Sequence, residues 1–462
     1  MNPSKTYKGI FWIAGEEDNS KNGLLKFSNG VAYVELFDSF DKDPINIKTK
    51  QRDKICCIHG VLEDQYCCIL NNCELKISNG LGSILETRIK FDYFYYSSNR
   101  DLILKKLDFE KVEFNLDNLF PWIGNTSIET VQQPDGKYGL NYKEPKKVDT
   151  LFSSESHSLK IKHITSIPLI TDKKNITIEQ DTTLILESNS NHSITESFVL
   201  INKIHDLFIL INADKVELDS TLEFTTNTNE KGFFGYNNLK RFGNAKGFSK
   251  QGSHNLFTLS SLQERIDLNL FFSSWFSMYQ YYKYPIELLI ECLSNASMNV
   301  QHKFINLMYS LDVMQQQGKI TGDLIGNIEL STKEKNIIEK LKNEYKVDNN
   351  TINSLTTRLK KIKKPDLKAK INKFLNPYSD FIHNLFGESL ADFVEITVNT
   401  RNYLSHENNT VPRLEIEAFD KYNLKLEAII LTIFLHQLGI KLNDIELQVK
   451  MHNRFQRVIR RT

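Results

Sequence analysis

The chain has 462 residues, of which 25% are charged and 40% are hydrophobic, and its formal net charge is +1. This length exceeds one ordinary hydrophobic core, and the composition is typical of soluble globular domains and excludes a largely disordered chain. The N-terminus lacks the pattern of a signal peptide, and no apolar run approaches the length of a membrane span. We therefore expect a cytoplasmic protein without a membrane partner, in which the six cysteines are reduced.

Residues 1–160 have the pattern of an antiparallel β-rich domain. Segments such as YKGIFWIA and VAYVELF are rich in β-branched and aromatic residues, and Gly and Asn turns separate them. A sandwich or a curled sheet is the natural architecture for such strands.

Five cysteines cluster in this domain near His59, and they are Cys56, Cys57, Cys67, Cys68 and Cys73. Zinc sites usually show two cysteines separated by two to four residues, whereas adjacent cysteines on a strand point to opposite faces. We interpret the cluster as small buried thiols in a hairpin. We expect no cofactor, although metal binding by this cluster stays open.

Residues 161–255 are predicted to continue the β-rich region with one helix and a linker. The helix is expected in ITESFVLINKIHDLFILI, whose apolar residues recur every three or four positions, and His205 within it is interpreted as a packing residue. From residue 225 to 256 the chain is dense in Gly, Asn and Lys, which predicts a loop or linker. Its aromatic residues, among Lys240, Arg241 and Lys246, either fold back onto a domain or contact nucleic acid.

Residues 256–462 show helical spacing of apolar residues, and glycine becomes sparse. Pro285 stands where we expect a helix to begin, and Gly318 and Gly439 stand where we expect helices to end. The predicted fold class is therefore α+β, with an antiparallel β-rich, sandwich-like region followed by an all-α helical bundle.

A run of lysines lies between the predicted helices, in the segment RLKKIKKPDLKAKINKFL. Its single acidic residue is Asp366, and its lysines are Lys360, Lys361, Lys363, Lys364, Lys368, Lys370 and Lys373. Such a run is either a solvated helix face or a track for RNA phosphates.

The segment RNYLSH places Arg401 and His406 near the end of a predicted helix, with Asn402 directly after the arginine. An arginine binds a phosphate through two parallel hydrogen bonds, and a histidine takes or gives a proton near neutral pH, which are the roles that metal-free RNA cleavage requires. This spacing is expected about once by chance in such a chain, and Arg52 with His59 forms a similar pair in a strand-rich segment. An Arg and a His at a helix end can also serve only to cap carbonyl groups.

RNYLSH resembles the Arg-x4-6-His signature of HEPN domains, in which a polar residue follows the arginine. The whole chain resembles the ApeA-like anti-phage HEPN proteins, because a β-rich domain opens with GIFWIAG, NGLLKFSNGVAYVELF follows, and a helical domain closes the chain. The resemblance implies catalytic roles for Arg401, Asn402 and His406. It also suggests an acidic residue on an early helix of the domain, and Asp312 is either that residue or an exposed residue of an amphipathic helix.

The resemblance implies a metal-independent endoribonuclease that cleaves cellular RNA, with tRNA as a candidate target, as an anti-phage abortive-infection effector. The N-terminal region would be a sensor or regulator, and a phage-derived component would be the trigger. In the alternative, the helical domain is a non-catalytic module for dimerisation and for binding RNA or protein, and the β-rich domain recognises a phage component or another ligand.

The spacing within RNYLSH also predicts a homodimer or a larger homo-oligomer. Five residues of an ideal helix turn through about 500°, so His406 lies about 140° around the helix from Arg401. One copy does not easily close on one phosphate, whereas two copies facing each other across a twofold axis can line a shared cleft. This arrangement is similar to that of HEPN ribonucleases, which form composite active sites at dimer interfaces.

Overall fold

The computed structural model describes residues 6–28, 31–38, 40, 54–79, 85–98, 108–117, 119–123, 128–132, 134, 136–142, 148–166, 179–218, 221–226, 231–236, 255–317, 331–362, 366–406 and 413–459. The chain divides into two compact units, Met1–Ser273 and Ser274–Thr462. The domain boundaries predicted after residues 160 and 255 stay predictions.

The first unit consists mainly of antiparallel strands, which confirms the predicted β-rich N-terminal region. Its described strands are β1 (Thr6–Ile13), β2 (Lys21–Ser28), β3 (Val31–Leu36), β4 (Lys54–Leu62), β5 (Cys67–Asn79), β6 (Leu85–Lys90), β7 (Tyr93–Ser97), β8 (Asp108–Phe114), β9 (Ile128–Gln132), β10 (Tyr138–Tyr142), β11 (Val148–Ser153), β12 (His157–Ser166), β13 (Glu179–Ser193), β14 (Thr221–Thr226) and β15 (Lys231–Tyr236). Its described helices are α1 (Leu119–Ile123), α2 (Ile194–Asn212) and α3 (Leu259–Gln263).

Six of these strands close into a barrel. They pair in the order β5-β4-β1-β2-β3-β6, and β6 also pairs with β5, which completes the ring. Closure is possible because one edge of β5 serves two partners: its first half pairs with β7 and its second half with β6. Asn72 separates the two halves in a left-handed backbone conformation with a φ of 54°, which asparagine tolerates better than most residues. The expected antiparallel sandwich or curled sheet therefore takes the form of a closed barrel in these six strands.

Large apolar side chains fill the interior of the barrel, and Phe11, Leu25 and Ile58 are among those that are fully buried. Gly60 on β4 lies directly against the Phe11 ring. A Cβ at position 60 would lie 2.6 Å from Phe11 Cδ1 and 2.9 Å from Cys68 Sγ. The ring thus occupies the space that a side chain at position 60 would need.

Adjacent cysteines of the β4–β5 hairpin lie on opposite faces, as predicted. Cys68 and Cys73 belong to the barrel core, whereas Cys67 belongs to a separate cluster against which Cys57 packs. Burial raises the pKa of the Cys68 and Cys73 thiols, so both remain protonated and act as small apolar groups. The interpretation as buried thiols is confirmed for Cys67, Cys68 and Cys73, whereas Cys57 is only partly buried. The side chain of Cys56 lies outside the described part.

Seven further strands extend the sheet from β5 in the order β7-β15-β14-β8-β13-β12-β11, and β9 pairs with β10 separately. Helix α2, which the sequence predicted, packs on β13 and β8. Its His205 is fully buried, and the Nε2 atom lies 2.8 Å from the carbonyl oxygen of Val216. The predicted packing role of His205 is therefore confirmed.

Strand β15 shows that the predicted loop between residues 225 and 256 was partly wrong, because residues 231–236 pair with both β14 and β7. The glycines of KGFFGY suggested a turn, but Gly232 provides space instead: a Cβ there would lie 2.1 Å from Phe224 Cζ. Phe233 stacks on Tyr96 with ring centroids 4.9 Å apart. The residues Lys240, Arg241 and Lys246 lie outside the described part of the chain.

The second unit is helical, as predicted. Helix α4 (Leu268–Ser294) crosses the division between the units, and α5 (Val300–Gln317), α6 (Thr332–Asn343), α7 (Asn349–Ile362), α8 (Leu367–Leu375), α9 (Ser379–Phe386), α10 (Leu390–His406), α11 (Phe419–Gln437) and α12 (Leu442–Met451) follow. Residues 428–435 of α11 have no exposed surface, and α5 and α12 pack on this helix. None of the described helices is long and apolar enough to cross a membrane.

Pro285 stands in the first turn after a kink in α4, close to the start of a helical segment, as predicted. Two helical segments meet at Tyr282, whose backbone is non-helical (φ −110°, ψ 23°). A proline is tolerated in the first turn of a helix because the N–H groups there have no partner within the helix. Gly439 does stand just beyond the end of α11, with a φ of 98°, as predicted, and Gly318 lies outside the described residues.

The contact between Gly60 and Phe11 predicts the effect of Gly60→Ala. The added methyl group overlaps the ring, so we expect the free energy of unfolding to fall by about 1–3 kcal/mol. Urea denaturation followed by circular dichroism measures this loss.

Phe11→Leu provides the control, because the smaller leucine side chain leaves room for the methyl group at position 60. The double variant should be less destabilised than the sum of the two single variants. Strictly additive losses would contradict an overlap between position 60 and the ring.

Candidate functional site

The segment RNYLSH forms the C-terminal end of α10, and the local sequence explains where this helix begins. Gly387 ends α9 in the left-handed conformation, with a φ of 69°. Ser389 Oγ then accepts a hydrogen bond from the backbone N–H of Asp392 at 3.1 Å and caps the first turn of α10. The helix ends at His406, so the predicted position of the motif at a helix end is confirmed.

Helix α10 packs against two helices that carry Asp312 and part of the lysine run. It contacts α5, which bears Asp312, and α8, which bears Lys368, and α5 also contacts α8. The buried side chains of α10 include Phe393, Val394 and Val398. The structure therefore brings the three helices together as one packed group.

The Arg401 guanidinium turns toward the neighbouring asparagine. Its Nη1 donates a hydrogen bond to Asn402 Oδ1 at 3.2 Å, and both side chains are partly buried. Position 406 lies only about 40° around the helix from position 402. The arginine side chain thus spans part of the 140° that separates positions 401 and 406.

Several predicted residues fall outside the described part of the structure. His406 is the last residue of α10, and Lys360 and Lys361 lie in α7, but the side chains of these three residues are not among those described. Lys363 and Lys364 lie outside the described residues altogether. The catalytic role of His406 and the RNA contacts of the four lysines stay predictions.

Asp312 lies on α5 and is partly exposed. Its Oδ1 accepts a hydrogen bond from Gln316 Nε2 at 3.0 Å, one turn further along the helix. This contact is compatible with an acidic residue on the polar face of an amphipathic helix. The catalytic role of Asp312 stays a prediction.

The C-terminal part of the lysine run forms α8. Asp366 caps this helix by accepting a hydrogen bond from the Ala369 N–H at 2.7 Å, which gives the one acidic residue of the run a structural role. Lys368 Nζ lies 3.0 Å from Glu395 Oε2 on α10. The basic helix is therefore tied by an ion pair to the helix that carries Arg401.

Two residues beside the motif, Arg413 and Thr400, were not predicted from the sequence. The Arg413 guanidinium lies over the Tyr403 ring, 3.6 Å from its centroid, as in a cation–π contact. The next residue, Leu414, donates its backbone N–H to Thr400 Oγ1 at 2.9 Å. A second cation is thus held at the same end of α10, and the available signals were the arginine of VPRLE and the threonine before RNYLSH.

Among the described residues, no group of three or more His, Cys, Asp or Glu side chains is arranged to hold a metal ion. His59 lies on β4, with its ring 6.1 Å from that of Trp12, and burial lowers its pKa. Its position confirms the strand-rich context that separated His59 from the motif histidine, and Arg52 lies outside the described residues.

Thr400→Val tests how the end of α10 is held. Thr400 is fully buried, and its hydroxyl group also donates to the Ile396 carbonyl at 2.6 Å. The variant leaves the Leu414 N–H without this acceptor, so we expect a loss of about 1–3 kcal/mol in the free energy of unfolding. Hydrogen exchange at the Leu414 amide should become faster.

Thr400→Ser is the matched control, since it keeps the hydroxyl group and removes only a methyl group. The Leu414 amide should then stay protected. Equal exchange rates in the Val and Ser variants would contradict the proposed anchor.

Comparison with known proteins assigns both parts of the chain. Residues 6–275 match the family model described as ApeA N-terminal domain 1, and residues 318–444 match the model described as Apea-like HEPN. No curated protein and no solved structure matches the chain. The first match covers more than half of the 462 residues, and the second covers α10, the helix that carries RNYLSH. The chain therefore belongs to the ApeA-like HEPN family of anti-phage effectors.

Proposed function

We propose that the protein is a metal-independent endoribonuclease that cleaves cellular RNA, with tRNA as the candidate target, as an abortive-infection effector. Its membership of a HEPN family supports this proposal, because HEPN domains are generally ribonucleases. The observation within the chain that carries most weight is the hydrogen bond from Arg401 to Asn402 at the end of α10. It directs a phosphate-binding cation toward the side of the helix on which position 406 lies.

In the proposed reaction, the 2′-oxygen of a ribose attacks the adjacent phosphorus, and the bond from phosphorus to the 5′-oxygen of the next nucleotide breaks. His406 takes the proton of the 2′-hydroxyl group as general base or gives a proton to the leaving 5′-oxygen as general acid. Arg401 stabilises the charge on the phosphate oxygens, and Asn402 orients the scissile group. The products are a 2′,3′-cyclic phosphate and a 5′-hydroxyl group. The reaction requires the 2′-hydroxyl group and therefore spares DNA.

The proposal places the site in a homodimer or a larger homo-oligomer. Two twofold-related copies of α10 would supply two histidines, so that one acts as base while the other acts as acid. In this proposal the N-terminal unit is the sensor or regulator, and a phage-derived component is the trigger.

Arg401→Ala and His406→Ala test the proposed chemistry. Purified protein is incubated in EDTA with total cellular RNA and with single tRNAs, and the fragment ends are identified. We expect each variant to lower the cleavage rate by about 10²–10⁴-fold, because each lacks a group that acts on the reacting phosphate. The cleavage by the native chain should persist in EDTA and leave 2′,3′-cyclic phosphate ends.

His383→Ala is the control, since His383 is an exposed histidine on α9 and has no role in the proposed reaction. It should cleave at the native rate. If neither the native chain nor the native chain with lysate from infected cells cleaves RNA, the protein is the non-catalytic binding module of the alternative hypothesis.

Asp312→Asn tests whether this carboxylate takes part. If the negative charge orients a catalytic group, kcat should fall by about tenfold or more with little change in KM, and Asp312→Glu should restore part of the loss. Gln316→Ala removes the hydrogen-bond partner of Asp312 and keeps the charge, so it should leave kcat unchanged. Equal effects of Asp312→Asn and Gln316→Ala would indicate a structural role.

A further inference from the structure

A row of polar residues extends the motif along α10 toward the start of the helix. With 3.6 residues per turn, positions 395, 399, 402 and 406 fall within an arc of about 60°. Glu395 is exposed, and Asn399 and Asn402 are partly exposed. From position 395 to position 406 the row is about 16 Å long. We call Glu395, Asn399, Asn402 and position 406 the polar row.

Lys368 joins this row from the neighbouring helix. Its Nζ lies 3.0 Å from Glu395 Oε2, and the two side chains are 42% and 51% exposed. Water reaches both groups, so the ion pair contributes little stability and can exchange for contact with another anion. A lysine is thereby held at one end of the row, and the pair of Arg401 and Asn402 lies toward the other end.

The polar groups of the row are complementary to those of a nucleic-acid strand. A lysine contacts phosphate oxygens, and asparagine side chains donate to phosphate and sugar oxygens and also accept hydrogen bonds. The row is several times longer than the rise of about 3.4 Å per stacked nucleotide. A strand lying along it would contact the protein at more than one nucleotide beyond the scissile phosphate.

Glu395 is the exception in this chemistry, because its carboxylate repels phosphates. Glu395 also forms an ion pair with Lys368, so a strand that binds along the row must compete with Glu395 for the lysine. For a strand that binds along the row, the ion pair would therefore weaken binding, and a substitution of Glu395 would restore the lost affinity.

We propose that Lys368, Asn399 and Asn402 bind the RNA strand on one side of the scissile phosphate, and that Glu395 competes with the RNA for Lys368. The proposal rests on the proposed function in that it takes RNA as the ligand. Lys368 and Asn399 are positioning residues, since they hold the strand and do not touch the reacting atoms.

The test measures binding separately from cleavage. The probe is a fluorescein-labelled, single-stranded 2′-O-methyl RNA of 20 nucleotides, which lacks the attacking hydroxyl group and is not cleaved. Its binding to the full chain is followed by fluorescence anisotropy at several salt concentrations. Lys368→Glu should raise Kd by about fivefold or more, and Glu395→Gln should lower Kd by about twofold to fivefold.

The dependence of Kd on salt separates the two kinds of contact. Lys368→Glu should reduce the slope of log Kd against log salt by about 0.7, as expected for one lost phosphate contact on a single strand. Asn399→Ala should weaken binding with an unchanged slope, because a neutral side chain releases no counterion.

A second ion pair provides controls, and its lysine matches Lys368 in exposure. Lys450 Nζ lies 2.7 Å from Glu446 Oε1 on α12, and Lys450 is 41% exposed, which is close to the exposure of Lys368. Lys450→Glu and Glu446→Gln should leave Kd unchanged. The proposal is overturned if Glu395→Gln fails to tighten binding, if both ion pairs respond alike, or if the native chain does not bind the probe.

Failure of this proposal is distinguishable from failure of the proposed function. Cleavage of natural RNA that depends on His406, with a Kd that is insensitive to Lys368 and Glu395, would overturn the binding path and leave the ribonuclease in place. Binding that responds as expected, without cleavage of any RNA, would support the path and overturn the ribonuclease.

Discussion

The burial of α11 is the constraint on which the helical unit depends. Residues 428–435 have no exposed surface, and a helix that is apolar all round is stable only when other elements cover it. The helices around α11 therefore turn their apolar sides inward and their polar sides outward. Helix α10 contacts α11 through the stacked rings of Phe393 and Tyr422, and it follows this rule: Phe393 and Val394 are buried, whereas Glu395 is exposed. The polar row is a consequence of this covering arrangement.

Charges buried within α11 add a second constraint. Glu427 has no exposed surface, and it pairs with Lys303 of α5 at 2.5 Å and with Arg454 at 2.9 Å. Lys425 is also fully buried and pairs with Glu388, and burial lowers its pKa while Glu388 opposes that effect. A buried charge without its partner costs several kcal/mol. Each of these pairs therefore disfavours any packing that separates α11 from its neighbours.

The pair of Lys425 and Glu388 also bears on the candidate site, because Glu388 lies directly before the cap of α10. One end of α10 is held there, and the other end is held by the hydrogen bond between Thr400 and Leu414. A helix anchored at both ends presents Arg401 in a fixed place. Catalytic groups gain most when their positions are set before the substrate binds.

The parts that the sequence predicted correctly depend on local patterns. Helical periodicity located α2 and the helix end at RNYLSH, and the conformational freedom of glycine located the end of α11 at Gly439. The parts that it missed depend on contacts between distant residues. The glycines of β15 suggested a loop, because the Phe224 ring that requires a small residue at position 232 belongs to another strand.

The same distinction applies to the barrel and to the candidate site. Asn72 divides β5 between two partners, and no pattern in the sequence states which strands those partners are. At the site, the motif itself was visible, whereas the stacking of Arg413 on Tyr403 depends on how the chain returns after α10. Spacing along the chain therefore located the motif, and only the fold revealed its neighbours.

The contact of Arg401 with Asn402 changes how the spacing of the motif is understood. Considered as points on a helix, positions 401 and 406 diverge by about 140°, which favours a site completed by a second copy. The guanidinium instead reaches sideways to Asn402, and a guanidinium carries five N–H donors, so one hydrogen bond does not exhaust it. One copy can therefore direct both the cation and position 406 toward the same side of α10. In a dimer, the second copy would then need to supply the other proton-transfer group rather than the phosphate-binding group.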